Sequence, residues 1–588
     1  MEFLKKWFSK KMVKKWLTTD WRVGIVWLVF IFNFYFTLNL TPLFDLDEGA
    51  FAEATREMFL KHNFITTYLN GELRFDKPIL IYWLQGIAVA LFGEESWVFR
   101  LPSALATTGW GLVLYLFATH LYSRRVGFYT LLLFSTTLQI GIIGRAAIAD
   151  SLLNLWLGVT LFSLYLYISE IRKFSESSKK GIIDNYAEGL NNLENRNNRP
   201  IQNSKYIPKE YTNNHKLVPD SNFSDKWLLI AFTATGFGFL TKGPVAIVVP
   251  IVPLFLYLLI RRQLSLFFKI VLNPKGIGIF ILIALPWYIA EYLQQGKKFI
   301  DGFFFYHNLK RFNTSFESHS GSLFYYIPII LVGLLPWTTI LLAYLWRIKK
   351  WVNEDFGLFA TLTFGWVFFL FSLSGTKLPH YIIYGYTPLF VVMGHILANY
   401  SSRLKLSLPM TIFLLLLLFL PFIARSLLPI LRDPFVKTAI ITLLPYFNHF
   451  YFGIVLGLIG LILYPFPPAL NRLFLGISAV IMVNYLLWIY AHFIQFPIYH
   501  LAKWIKKNPP SQKIVMWHLN TPTFILYSHR FVERREPKEG DIVLTRVSDL
   551  GKLPGFKILF KEGGIGLVRV VSPHPISTPF NYRRDKRE

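Results

Sequence analysis

Apolar runs of about twenty residues recur along this chain, each long enough to cross a hydrocarbon core about 30 Å thick. Such a run has to be helical in lipid, where no water pairs with an exposed N–H or C=O group. The runs therefore dictate a polytopic α-helical membrane protein. Of 588 residues, 53% are hydrophobic, 18% aromatic and only 16% charged, more apolar and less charged than an average globular protein. The formal net charge of +27 does not call for nucleic acid, because polytopic chains collect Lys and Arg on cytoplasmic loops for topological reasons. The absence of cysteine excludes disulfides, thiolate metal sites and cysteine nucleophiles.

Charge sets the expected topology. Residues 1–21 form a basic cytoplasmic N-terminus, and the uncapped run Gly24 to Leu40 reads as a retained first helix. Further candidate helices lie near 101–121, 127–143, 151–169, 227–241, 244–260, 275–290, 324–345, 356–373, 379–399, 408–428, 447–465 and 473–495, thirteen in all. With an inside start, the clusters Arg124-Arg125, Arg172-Lys173, Arg261-Arg262, 346–351, Arg403 with Lys405, and Arg472 all fall on the cytoplasmic side. The outside then receives segments 41–100 and 291–323, short turns near 144–150, 242, 374–380 and 429–446, and the tail from 497. The apolar segment Ile79 to Phe92, fourteen residues long, suits an interfacial or re-entrant helix. Residues 22–400 thus read as one transmembrane module and 401–496 as additional helices. Residues 174–225, polar and Asn-rich, read as a disordered cytoplasmic insert. Residues 497–588, with short β-rich runs between Pro, Gly and charged turns, read as a small outer α/β domain.

The residues able to carry chemistry gather on the outer face. Asp47 and Glu48 open a segment whose Phe51, Ala54, Thr55 and Met58 have the spacing of an amphipathic helix along the membrane surface. Helix capping is the ordinary role for such a pair; the catalytic one is a carboxylate near a low-dielectric site, where it can act as general base. Arg74, Asp76 and Lys77 precede Pro78 at a membrane boundary, where snorkelling explains a cation but not Asp76. Asp150 follows Arg145 at the mouth of a helix. Lys242 and Lys377 stand at outer turns, the latter with His380 and Tyr381, and ionisable groups at that depth are costly enough to be functional candidates. In the later loop His307, Asn308, Lys310 and Arg311 sit among aromatics, a set suited to metal or phosphate binding. Carboxylates at 47, 76 and 150 with cations at 74, 77, 145, 242, 311 and 377 suit deprotonation of an acceptor beside a phosphate leaving group.

The motifs "DLDEGAFAEATREM", "LRFDKPILIYWLQGIAVALFG", "RLPSALAT", "ADSLLNLW", "GFLTKGPVA", "YHNLKRF", "LLPWT" and "GTKLPHYIIYGYTPL", in this order over roughly residues 20–400, resemble the bacterial branch of the GT-C glycosyltransferases. That group includes protein O-mannosyltransferases and the aminoarabinose transferases acting on lipid A. The resemblance implies a GT-C fold of about thirteen transmembrane helices with outer-face amphipathic helices, in the bacterial inner membrane with its site on the periplasmic side. It implies inverting transfer of a sugar from a polyprenyl-phosphate donor, without a nucleotide cofactor, to lipid A or another envelope glycolipid, and a monomer. Asp47, with Glu48 beside it, would be the catalytic or acceptor-orienting carboxylate and Asp150 the second acidic residue. Lys77 and Arg311 would face the donor phosphate, Tyr381 would line the same pocket, and Arg74, Lys242 and Lys377 would add charge. Asp76 and His307 would fill the places of a divalent metal pair (Zn, Mg or Mn). The family's His lies three residues before the Arg of this motif, where this chain has Asn308, so His307 is one position off, and Gly49-Ala50 replace the basic or hydroxylated residue that often follows the acidic pair. Transfer to protein and transport of lipid-linked sugars are the competing functions; transporters often show repeated halves with broken helices, and no repeat is visible here.

Overall fold

A computed structural model describes residues 21–197, 225–310 and 321–571. Each of the thirteen expected segments contains helix, but length divides them. Among the described residues seven helices are long and apolar enough to span: Ser96–Leu121, Asp150–Phe174, Pro274–Gln295, Asp355–Leu373, Pro379–Asn399, Arg403–Leu427 and Pro468–Ile494. Pro434–Tyr446 and His449–Leu463, bent by 74°, would together make an eighth. Val23–Phe36 and Val245–Ile260 are apolar but shorter.

Two of the expected spans are broken, and the breaks support each other. The 127–143 segment divides into Arg124–Thr136 and Leu138–Ile143 at an extended Thr137, and the 324–345 segment into Tyr326–Gly333 and Thr338–Trp346. The Leu138 N–H donates to the Leu335 carbonyl at 2.9 Å, and Trp337 Nε1 donates to Thr136 Oγ1 at 3.0 Å. Non-helical backbone at membrane depth is tolerated where protein buries it and satisfies its polar groups.

Three expectations change. The helix from Asp150 continues to Asn197, so the first part of the 174–225 insert is helical rather than disordered; helix formers outnumber Gly there and Pro is absent before 198. Residues 198–224 lie outside the described residues. The outer turn at 429–446 holds the helix Pro434–Leu443. The helix Asp47–Leu60 is not a one-sided surface helix, because every residue from Glu48 to Met58 is buried.

The C-terminal domain is what covers its other side. Its five-stranded sheet contains β1 (Ile514–Met516), β2 (Val532–Glu533), β3 (Ile542–Arg546), β4 (Phe556–Glu562) and β5 (Ile565–Val570), ordered β2-β1-β3-β5-β4. β1 runs parallel to β2 and β3, while β5 is antiparallel to β3 and β4. Helices Phe496–Lys507 and Pro522–Ser528 close one face of the sheet. Pro522–Ser528 packs on Asp47–Leu60 so closely that a Cβ on Gly49 would lie 2.5 Å from Thr523 Cγ2. Asp45 accepts from the Thr523 N–H at 2.9 Å and its hydroxyl at 2.5 Å, Tyr527 Oη accepts from the Leu43 N–H at 2.8 Å, and Asn70 exchanges two 2.9 Å bonds with the Val532 backbone.

Candidate active site

The adjacent acidic residues 47 and 48 are divided by one helical step. Glu48 turns inward and accepts a two-pronged pair from Arg100, Nε to Oε1 at 2.8 Å and Nη2 to Oε2 at 2.7 Å. The N–H groups of Phe44 and Ala147 add bonds of 2.8 and 2.7 Å. Burial alone pushes this carboxyl up, but the Arg100 charge and these hydrogen bonds bring it below its ordinary value. Arg100 also donates to the carbonyls of Leu38, Thr41 and Pro42, so the pair fixes the chain where it leaves the first helix. Asp47 is exposed and lines a cavity of about 230 Å³ with Thr41, Phe44, Arg145, His380 and Tyr490; it makes no hydrogen bond or ion pair with a described residue.

A second cavity of about 420 Å³ is lined by Asp76, Lys77, Lys242, His307, Tyr381 and Tyr384 on its polar side and by Val245, Val248, Phe304, Leu370 and Phe371 on its apolar side. Lys77 Nζ lies 2.8 Å from Asp76 Oδ1, and Arg74 Nη2 lies 3.2 Å from Asp76 Oδ2. Burial works against the Arg74 charge, but Tyr82, Asp76 and Asp47 outweigh it and raise its pKa.

Asp150 lies between the two cavities, 3% exposed. Its Oδ1 accepts from Lys242 Nζ at 2.7 Å and from the Tyr384 hydroxyl, and His380 Nε2 lies 3.6 Å away. Lys242 Nζ donates to Tyr384 Oη at 2.6 Å and stands 5.4 Å from the centre of the Tyr381 ring. Lys242 and Tyr384 face the larger cavity and His380 the smaller, so one buried carboxylate organises groups on both. The structure thus brings Asp76, Lys77, Lys242, His307 and Tyr381 to one cavity and leaves Asp47 in the next. Lys377 is buried and donates to the Ser374 carbonyl at 2.7 Å, and Arg311 lies outside the described residues.

The expected metal pair is only partly supported. His307 Nδ1 is 3.4 Å from Asp76 Oδ1, but Asp76 already faces Lys77 and Arg74, and no group of three or more His, Cys, Asp or Glu side chains able to hold a metal occurs among the described residues. Among the described residues, one carboxylate facing two cations and one imidazole is a smaller set than the oxygen and nitrogen ligands a divalent ion takes.

Sequence reasoning missed Arg100 as the partner of Glu48 and Tyr384 as the partner of Asp150, although "VFRLPSALAT" and "KLPHYIIYGY" contain them. It also missed Tyr527 and Thr523, which carry no local sign that they meet the first outer loop.

Residues 76–175 and 211–297 match two family models, both described as dolichyl-phosphate-mannose-protein mannosyltransferase. An undecaprenyl phosphate-alpha-4-amino-4-deoxy-L-arabinose arabinosyl transferase of Aeromonas hydrophila is 29% identical over 382 residues, 64% of this chain and 60% of that protein. An uncharacterized protein of Aquifex aeolicus is also 29% identical, over 64% of this chain and 73% of its own. The chain thus spans about 60% of the length of the Aeromonas relative. The crystal structure of ArnT from Cupriavidus metallidurans bound to undecaprenyl phosphate shares the fold, with a TM-score of 0.69 at 17% identity over 95% of this chain and 100% of that one.

Proposed function

We propose that this chain, a member of the GT-C glycosyltransferases, transfers a sugar from a polyprenyl-phosphate donor to an acceptor at the outer face of a bacterial inner membrane, an envelope glycolipid of the lipid A kind. The observation that carries this reading is the pairing of an apolar-walled cavity edged by Lys77, Lys242 and Tyr384 with a second cavity that Asp47 enters. The relatives' names and the undecaprenyl phosphate of the similar structure favour the same donor, which calls for no nucleotide.

In this reading the donor phosphate enters the larger cavity. Lys77 and Lys242 offset the charge that grows on the departing phosphate, and the apolar wall keeps water away so that each charge acts in a low dielectric. Asp150 holds Lys242 and Tyr384 in place. The acceptor oxygen approaches from the smaller cavity, forms its bond to the anomeric carbon as the carbon–phosphate oxygen bond breaks, and inverts that carbon in one displacement. Where the acceptor is a hydroxyl, Asp47 takes its proton; where it is already an anion, Asp47 orients it. The acidic residue of the pair that acts is Asp47, since Arg100 and two N–H groups occupy Glu48. The family models' descriptions favour a second reading, transfer to protein.

The test supplies the purified full chain with an undecaprenyl-phosphate-linked sugar or the corresponding nucleotide sugar, each with extracted envelope lipid or with protein as acceptor. Mass spectrometry should find sugar moved onto the lipid from the lipid-linked donor alone. Transfer to protein would establish the second reading, and use of the nucleotide sugar would refute both.

A further inference from the structure

A single oxygen of Asp150 is the meeting point of three side chains. Oδ1 accepts from Lys242 Nζ at 2.7 Å and from the Tyr384 hydroxyl, and it is the atom that His380 Nε2 approaches to 3.6 Å. Lys242 and Tyr384 belong to the wall of the larger cavity, and His380 to the wall of the smaller one, where Asp47 also stands. A row of proton-bearing groups therefore runs from one cavity to the other through one buried carboxylate. The backbone just before His380 is held in place, with Gln139 Nε2 donating to the Pro379 carbonyl at 2.7 Å and the Tyr326 hydroxyl to the Leu378 carbonyl at 3.0 Å.

A role confined to the fold would have His380 balance the charge of Asp150. Lys242 already does so from 2.7 Å, and 3.6 Å exceeds a hydrogen bond, although contacts on a proton path are often this long until substrate binds. What the imidazole adds is reach into the smaller cavity and two nitrogens, one to take up a proton while the other releases one. The reaction has use for that. When the bond between the anomeric carbon and the phosphate oxygen breaks, its electron pair stays on the phosphate, and a singly charged diester becomes a doubly charged monoester. The proton of an acceptor O–H, meanwhile, has gone to Asp47 in the other cavity. An imidazole ordinarily holds a proton more tightly than a carboxylate does, and about as tightly as a phosphate monoester dianion, so a path from carboxylate to imidazole to phosphate climbs no large step.

We propose that His380 returns the acceptor's proton to the departing polyprenyl phosphate, acting through Asp150 and Lys242. The proposal rests on the glycosyltransferase reading above and adds the route of the proton to it. Asp47 hands the proton to one nitrogen of His380, Nε2 gives its own to Asp150 Oδ1, and Lys242, having protonated a phosphate oxygen, takes that proton up. The count closes: one proton leaves the acceptor oxygen and one arrives on the phosphate. The polyprenyl phosphate then departs as a monoanion, which Lys77 and Lys242 hold less tightly than a dianion. The apolar wall of Val248, Phe304 and Leu370 keeps bulk water from supplying the same proton.

The experiment uses the purified full-length protein and its His380→Ala and His380→Gln variants, with an undecaprenyl-phosphate-linked sugar and extracted envelope lipid. His380→Gln keeps most of the side chain's bulk without a titrating nitrogen. Rapid quenching follows the first turnover and then the steady rate. Both variants should move the first sugar at close to the wild-type rate, because Asp47 remains. Their steady rate should then fall about tenfold, the value of one charge-assisted contact that the unprotonated phosphate retains, so that the first sugar appears as a burst. Added imidazole should restore the steady rate of His380→Ala, which it cannot do for a lost packing contact. An unchanged steady rate in both variants would overturn the proposal. So would a first turnover slowed as much as the steady rate with no rescue by imidazole, the mark of a residue that only holds Asp150 in place. Absence of transfer by the wild-type protein would instead refute the glycosyltransferase reading on which it depends.

Discussion

Asp45, Asp47 and Glu48 lie within four residues, and their surroundings give them different work. Glu48 supports the fold through Arg100. Replacing it by Gln removes the charge opposite a buried guanidinium, and breaking such a pair costs about 3 kcal/mol or more. Glu48→Gln should therefore lower the melting temperature clearly in detergent; an unchanged melting temperature would show that the pair does not hold the loop. Asp45 instead faces the C-terminal domain. Burial raises its carboxyl from 3.8 to about 6, against hydrogen bonds from Thr523 and Gln495 that lower it and with Glu48 adding to the rise. Because the folded state binds this proton more tightly than the unfolded one, the stability linked to it is full below about pH 4 and is lost as the pH rises through about 6. Asp45→Asn should flatten that pH dependence and be the more stable protein at pH 7.5, by about 3 °C. Melting curves from pH 4.5 to 7.5 decide it, and parallel curves for the two proteins would contradict it.

At the scale of elements, the helix Asp47–Leu60 is pinned between membrane helices and the sheet domain, and Gly49 marks the closest approach. A Cβ there would stand 2.8 Å from both Asp45 Oδ1 and the Thr523 nitrogen. Gly49→Ala should loosen the docking by about 1–3 kcal/mol, the usual cost of overpacking. Limited proteolysis should then release the C-terminal domain faster than from wild-type protein, and equal release rates would show that the contact can adjust. This docking also explains why the periodicity of Phe51, Ala54, Thr55 and Met58 read as amphipathic. The pattern reports the membrane-side packing, while Glu53, Arg56 and Glu57 are buried through pairs of their own, Arg56 on Glu53 at 2.7 Å and Glu57 on the N–H groups of Asn70 and Gly71.

Over the whole molecule, the helical segments were legible because lipid leaves the backbone no alternative, and the β-rich tail because its short alternating runs are interrupted by turn residues. The site was legible only as an inventory of outer-face charges. Its pairings join residues far apart in the chain: Glu48 and Arg100 are separated by 52 positions, Asp150 and Lys242 by 92, Asp150 and Tyr384 by 234, and Asp45 and Thr523 by 478. Local patterning contains nothing about such contacts, so Glu48 and Asp47 looked alike until the fold separated them. The same separation leaves Asp47 on the smaller cavity, with no hydrogen bond or ion pair to a described residue, so its proposed role can be tested apart from stability. The decisive measurement is therefore Asp47→Asn in the purified full chain, followed by melting temperature, undecaprenyl phosphate binding and sugar transfer. We expect the first two to match wild type and transfer to a hydroxyl acceptor to fall by about a hundredfold or more, as for loss of a general base; full retention of transfer would contradict the assignment.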